Sequence, residues 1–92
     1  MTYRHKYRDR VDIISQILEI ANGSDTKKTK IMSNAFLSHQ QLNQYLGVLT
    51  RGELLRYDLD TQAFKTTPKG LRFLDTRNQM DQMMTALGQA RA

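Results

Sequence analysis

Apolar residues recur at helical spacing from Asp9 to Asn22, where Val11, Ile14, Leu18 and Ala21 are joined by Ile13, Ile17 and Ile20. That period predicts an amphipathic helix with a broad apolar face. Asp9 stands where an N-cap is needed, and Asn22-Gly23 ends the helix because glycine tolerates the left-handed conformation that closes many helices. A second, shorter helix is expected from a cap at Thr26 or Asp25 to about Ala35, with Ile31, Met32 and Ala35 apolar. Asn34-Ala35-Phe36-Leu37 then forms a turn in which Phe36 and Leu37 are expected to be buried. A third helix opens at Ser38, a good N-cap, and puts Leu42, Tyr45, Leu46 and Leu49 on one face.

After Gly52 the period changes to alternation. Leu55, Tyr57 and Leu59 interleave with Leu54, Arg56 and Asp58, Asp60-Thr61-Gln62 makes a turn, and Ala63–Thr66 returns, which predicts a β-hairpin. Thr67-Pro68-Lys69-Gly70 starts a last helix, since Thr caps well and Pro is favoured at the first helical position. Within it Phe73, Arg77, Met80, Met84 and Leu87 alternate between spacings of four and three, with Met83 beside them. A helix of about 20 residues, roughly 30 Å long, overshoots so small a core. Its apolar stripe is expected to pair with a second copy of the chain. The fold class predicted is mainly α with a small β-hairpin. Three helices followed by a hairpin is the order of a winged helix-turn-helix, here with a long C-terminal helix. The expected organisation is a flexible basic arm at 1–8, a winged domain at 9–70 and a dimerisation helix at 71–92.

Ninety-two residues with 39% hydrophobic content leave room for one modest core. The absence of Cys excludes disulfides and thiolate metal sites. No apolar run approaches the roughly 20 residues of a membrane span, and the first residues have no apolar signal segment, so a soluble cytoplasmic protein is expected. The net charge is +5, and it is unevenly spread. Arg4, Lys6, Arg8 and Arg10 make the first segment basic, and Lys27, Lys28 and Lys30 bunch at the start of the second helix. Cations at a helix N-terminus oppose the macrodipole by a few tenths of a kcal/mol, which points to a use other than stability.

The use expected is phosphate binding, a solvated charged helix end being the alternative. In a helix-turn-helix the first helix of the pair crosses the DNA backbone, where Lys27, Lys28 and Lys30, with Arg8 and Arg10, would meet phosphates. The third helix carries Ser38, His39, Gln40, Gln41, Asn43, Gln44 and Arg51 on its polar side. Amides suit adenine edges and Arg suits guanine edges in the major groove, so this is a candidate recognition helix, an ordinary helix with a Gln-rich wet side being the alternative. On the wing, Arg56, Gln62 and Lys65 are the candidate contacts, while Asp58 and Asp60 at its tip would be repelled by phosphate. Phe73, Arg77, Met80, Met83, Met84 and Leu87 are the candidate dimer residues. No catalytic constellation competes. His5 and His39 lack partners at metal-ligand spacing, and the glycines are scattered singly, so neither metal, cofactor nor enzymatic activity is expected.

Lys27-Lys28-Thr29-Lys30-Ile31-Met32, Leu37-Ser38, Gln41-Leu42, Tyr45-Leu46, Gly52-Glu53-Leu54-Leu55, Thr66-Thr67-Pro68-Lys69-Gly70 and Phe73-Leu74, in that order, resemble the small archaeal winged-helix DNA-binding proteins. These include ArnR-like transcription regulators and related dimeric chromatin-type proteins. The resemblance covers roughly residues 8–76. It implies a winged helix-turn-helix fold, binding of double-stranded DNA and, in the dimeric members, a C-terminal helix pairing with its twofold mate as an antiparallel coiled coil. The chain lacks the membrane span that some such regulators carry and looks like a stand-alone soluble form. The function expected is transcription regulation by a nucleoid-associated homodimer. An architectural chromatin protein with little sequence preference and a winged-helix protein-interaction module are the alternatives.

Overall fold

The computed structural model describes residues 8–90, in the order α1 (Arg10–Ile20), β1 (Thr26–Lys27), α2 (Lys28–Ala35), α3 (His39–Arg51), β2 (Leu55–Asp58), β3 (Ala63–Thr66) and α4 (Pro68–Ala90). Of the expected basic arm, residues 1–7 lie outside the described residues. Local chemistry accounts for the helix starts. Asp9 caps α1 reciprocally, its carboxylate accepting from Asp12 N at 2.8 Å while Asp12 accepts from Asp9 N at 3.2 Å. Thr67 caps α4 by accepting from Gly70 N at 3.0 Å, and its own hydroxyl donates to Glu53 O at 2.6 Å.

The core lies where the apolar faces of the helices meet the sheet. Ile13, Ile17, Leu18 and Ala21 of α1 and its C-terminal cap are buried with Ile31 and Ala35 of α2, Leu42, Leu46 and Leu49 of α3, and Leu55 and Phe64 of the hairpin. Each such Leu or Ile contributes about 1.5–3 kcal/mol by leaving water, which is what holds α2, α3 and the hairpin in a fixed arrangement with α1. The hairpin register pairs Leu55 with Thr66 and Tyr57 with Phe64.

Two expectations need correction. Thr26 is not a helix cap but a strand residue. It pairs with Phe64 as β1 joins β3 antiparallel, giving a three-stranded sheet in the order β1-β3-β2. Its hydroxyl donates to Ser24 O at 3.0 Å, and only 3% of the residue is exposed. α2 accordingly starts at Lys28, with no side-chain cap. Two residues are too few to display a period, and the partner that makes them a strand is remote in sequence. Phe36, expected to be buried, is 81% exposed, whereas Leu37 is buried. The closure of α2 explains it. Phe36 takes the left-handed conformation, φ 55°, so that its N–H and that of Leu37 return to the end of the helix, Leu37 N reaching Met32 O at 3.2 Å. That reversal turns residue 36 outward and residue 37 inward.

α4 has 23 residues, about 35 Å of helix, and only its first half is covered. Phe73 and Leu74 pack on the core, and Arg77 pairs with Asp12 of α1. From Asn78 to Gly88 every residue is exposed. The overhang stretches the molecule to 53 × 27 × 19 Å.

Candidate nucleic-acid interface

Ser38 starts α3 with a capping box. Its hydroxyl accepts from Gln41 N at 3.1 Å, and Gln41 Oε1 accepts from Ser38 N at 3.1 Å. Both side chains therefore close the first turn of the helix. One turn on, Asn43 Nδ2 lies 3.2 Å from His39 Nδ1. Gln40, Gln44 and Arg51 are exposed. With Gly47 they fall at spacings of three and four and so form one column along the outer face of the helix. The Arg51 side chain bends back over Gly47, its Nη1 standing 3.2 Å from where a Cβ would be.

The three lysines of α2 occupy different places. Lys27 Nζ donates to Thr61 O in the wing turn, tying the start of α2 to the hairpin. Lys28 is half-buried beside α3, and Lys30 is exposed. The arginines near the N-terminus also part company. Arg8 donates to Gln16 Oε1 at 2.6 Å, to Ala35 O and to Phe36 O, so it serves the carbonyl end of α2. Arg10 is exposed and lines a small depression with Gln44, Tyr45 and Val48 of α3.

On the wing, Arg56 and Lys65 are Cα partners, so both lie on the sheet face opposite Tyr57 and Phe64. Gln62 holds φ 55° in the hairpin turn. Asp58 Oδ1 accepts from Asp60 N at 2.8 Å and Thr61 N at 3.4 Å, which makes this carboxylate part of the turn.

Sequence reasoning missed a groove of about 540 Å3 between α3 and the wing, lined among others by Lys28, Asn43, Gly47, Thr50, Tyr57 and Gln62. The Tyr57 and Phe64 rings, 4.8 Å apart between centroids, form its aromatic wall. One signal was available in the sequence. A glycine inside a helix costs about 1 kcal/mol relative to Ala, and Gly47 stands in the middle of α3. Tyr57 gave none, because only the tertiary fold sets it opposite α3.

The dimer candidates on α4 divide into two groups. Phe73 and Arg77 face their own domain, whereas Met80, Met83, Met84 and Leu87 are 51%, 67%, 62% and 59% exposed. Arg77 donates to Asp12 and, at 3.1 Å, to Asp81. The hydrogen bond from Arg77, seconded by the Asp9 backbone, holds the Asp12 carboxyl below its ordinary range, and Asp12, seconded by Asp81, raises Arg77. Among the described residues no cluster of His, Asp or Glu has the makings of a metal site, and no helix is long and apolar enough to cross a membrane.

The family profile described as Winged helix-turn-helix matches residues 7–85. The chain belongs to the winged helix-turn-helix family. The match takes in the whole of the fold described above apart from the tip of α4. Uncharacterized protein MJ0290 of Methanocaldococcus jannaschii is 35% identical over 68 residues, which are 74% of this chain and 31% of that protein. This winged helix-turn-helix chain thus spans about a third of the length of that relative. Among solved structures it resembles Sso10a-2, a DNA-binding protein from Sulfolobus solfataricus, with a TM-score of 0.77 at 17% identity, covering 91% of this chain and 90% of that one. It also resembles the transcriptional regulator MosR of M. tuberculosis, with a TM-score of 0.64 at 17% identity, covering 97% and 67%. At such identities the likeness is one of fold. The winged helix-turn-helix with a long C-terminal helix, read from the sequence, is the fold found.

Proposed function

We propose that this winged helix-turn-helix protein binds duplex DNA as a homodimer and regulates transcription, in the cytoplasm and on the nucleoid. The observation that carries the proposal is that Lys28 of α2 and Asn43 of α3 line one groove. Lys28 and the polar side of α3 therefore share a single surface. In this reading Lys27, Lys28, Lys30 and Arg10 neutralise phosphates, while Gln40, Asn43, Gln44 and Arg51 meet base edges in the major groove. Residues 9–70 form the reading module, and residues 71–92 join two of them.

The exposed Met80, Met83, Met84 and Leu87 support the second copy, because an unpartnered apolar stripe on an overhanging helix gains by burial. A further groove of about 600 Å3, lined by Val11, Leu54, Phe73 and Met80 among others, continues that stripe toward the domain.

The test is a titration of labelled mixed-sequence duplex at two salt concentrations, with the mass of the complex followed by light scattering. Two chains per complex and steeply salt-dependent affinity are expected, and Lys28→Ala should reduce the salt slope by about one. A folded chain that binds no duplex at low salt would point instead to a protein-interaction module. A second reading, an architectural protein with little sequence preference, is favoured by the local bonds that occupy Ser38, Gln41 and the His39–Asn43 pair. A ratio of specific to random affinity of about 10³ or more would exclude it.

A further inference from the structure

Two exposed features of this molecule find no partner among the described residues. At the wing tip Leu59 is 81% exposed and stands between two exposed acidic residues, Asp58 and Asp60. The tip is held stiffly. Asp58 Oδ1 accepts from Asp60 N at 2.8 Å and Thr61 N at 3.4 Å, Gln62 N donates to Asp58 O at 2.7 Å, and Lys27 Nζ donates to Thr61 O. The second feature is the groove of about 600 Å3 beside the start of α4, where Val11, Leu54, Phe73 and Met80 make an apolar lining edged by Lys69 and Arg72. No carboxylate is among its lining residues. Lys69 Nζ has one bond, to Gly52 O at 3.0 Å, and among the described residues neither Lys69, Arg72, Asp58 nor Asp60 is in a salt bridge.

We propose that the wing tip of one molecule seats in this groove of another, with Leu59 entering the apolar lining and Asp60 facing Lys69 and Arg72. An apolar knob flanked by negative charge meets an apolar hollow flanked by positive charge, and the stiff turn loses little freedom on docking. A chain cannot fill its own groove. Leu54 stands at the foot of β2, and the four residues Leu55–Asp58 carry the tip about 13 Å away from it. The free end of α4 answers the groove less well. Met83, Met84 and Leu87 would supply apolar surface, but Asp81 is the one acidic residue beyond Met80 and it is bonded to Arg77, which leaves Lys69 and Arg72 without a counter-charge. Tip and groove are different surfaces, so the contact is head-to-tail, and unless the rotation closes a ring each assembly keeps a free tip at one end and a free groove at the other. Such association lengthens with concentration instead of ending at two chains, and it requires neither the pairing of α4 nor DNA.

The experiment follows the mean mass of the full chain by light scattering as its concentration is raised at low salt. The parent is compared with Leu59→Ser, Asp60→Lys, Arg72→Glu, the double variant Asp60→Lys/Arg72→Glu and Met84→Glu. All the side chains changed are exposed, and thermal unfolding confirms that each variant is folded. The parent mass should climb past two chains. Leu59→Ser should weaken this growth by about tenfold or more, since it removes the apolar side chain that the contact buries. Each single charge exchange should weaken it several-fold, and the double variant should recover it. The two single exchanges move the net charge of +5 in opposite directions and the double restores it, so recovery reads the pair and not the overall charge. Met84→Glu lies outside the groove and should leave the growth in place. A parent that stops at one or two chains at every concentration overturns the inference. So does growth that Leu59→Ser leaves intact, growth that Met84→Glu abolishes, or a double variant no stronger than the singles.

Discussion

Gly70 is the point at which α4 leaves the sheet, and replacing it with alanine should loosen that junction. A Cβ there would stand 2.5 Å from Leu54 O and 2.6 Å from Thr66 Cγ2, and the residue is buried. Neither neighbour is free to give way. Leu54 O accepts from Thr67 N at 3.1 Å and from the Thr67 hydroxyl at 3.2 Å, and the Thr66 hydroxyl is held by Leu18 O at 2.7 Å. The helix start must therefore move until the contact exceeds 3.0 Å, straining the Thr67 cap. Overpacking of this kind costs about 1–3 kcal/mol. Helix propensity works the other way, with alanine favoured over glycine by up to about 1 kcal/mol. The steric term should win, leaving a net loss of about 1–2 kcal/mol and a melting temperature lower by roughly 5–15 °C. Gly88→Ala in the same helix is the control, since nothing lies within 4 Å of its Cβ position. Thermal unfolding followed by circular dichroism reads both variants. A Gly70→Ala chain as stable as the parent would refute the argument that close approach dictates this glycine. The direction in which α4 projects is set here, so the same substitution should also weaken cooperative binding by two modules.

Ser38→Ala removes one half of a capping box and should cost about 1 kcal/mol in urea unfolding, with a loss below a few tenths counting against the cap. The folded Asp12 carboxyl titrates below its unfolded value near 3.8, chiefly because Arg77 donates to it. Its contribution is therefore complete above about pH 4 and lost as pH falls through the lower, folded value. Arg77→Met should accordingly lower the stability read from urea unfolding at pH 7, by about 1 kcal/mol for a pair still partly open to solvent, and much less at pH 2–3; an equal loss at both pH values would show that packing, not charge, is what was lost. Met84→Glu changes a side chain that is 62% exposed, so the domain should stay folded; on the homodimer proposed above, light scattering should then report one chain where the parent gives two, with DNA affinity falling in parallel. A dimer that survives this change is not held by the end of α4.

Much of this molecule follows from its sequence alone. The apolar period of α1, the Ser38 cap with Gln41 three residues on, the alternation from Leu54 to Leu59 and the Thr67-Pro68 start of α4 are local signals, and each element stands where its signal lies. Local signals act over one or two turns, through backbone sterics and first-turn hydrogen bonds, so they can be read without knowing the fold. What depended on contacts between distant residues was not legible. Thr26 is a strand residue only because Phe64 is beside it, Arg8 is drawn to the carbonyl end of α2, and Arg77 finds Asp12 across the α1–α4 junction. Phe36 was misjudged because its apolar character argued for burial, while the left-handed residue that closes α2 turned it outward. The candidate interface divides in the same way. Its polar helix and lysine cluster are written in the chain, but the groove that brings Lys28, Gly47 and Tyr57 together exists only once α2, α3 and the wing have packed around α1. Sequence fixes which side chains are available to a surface, and the packing of one element on another decides which of them meet.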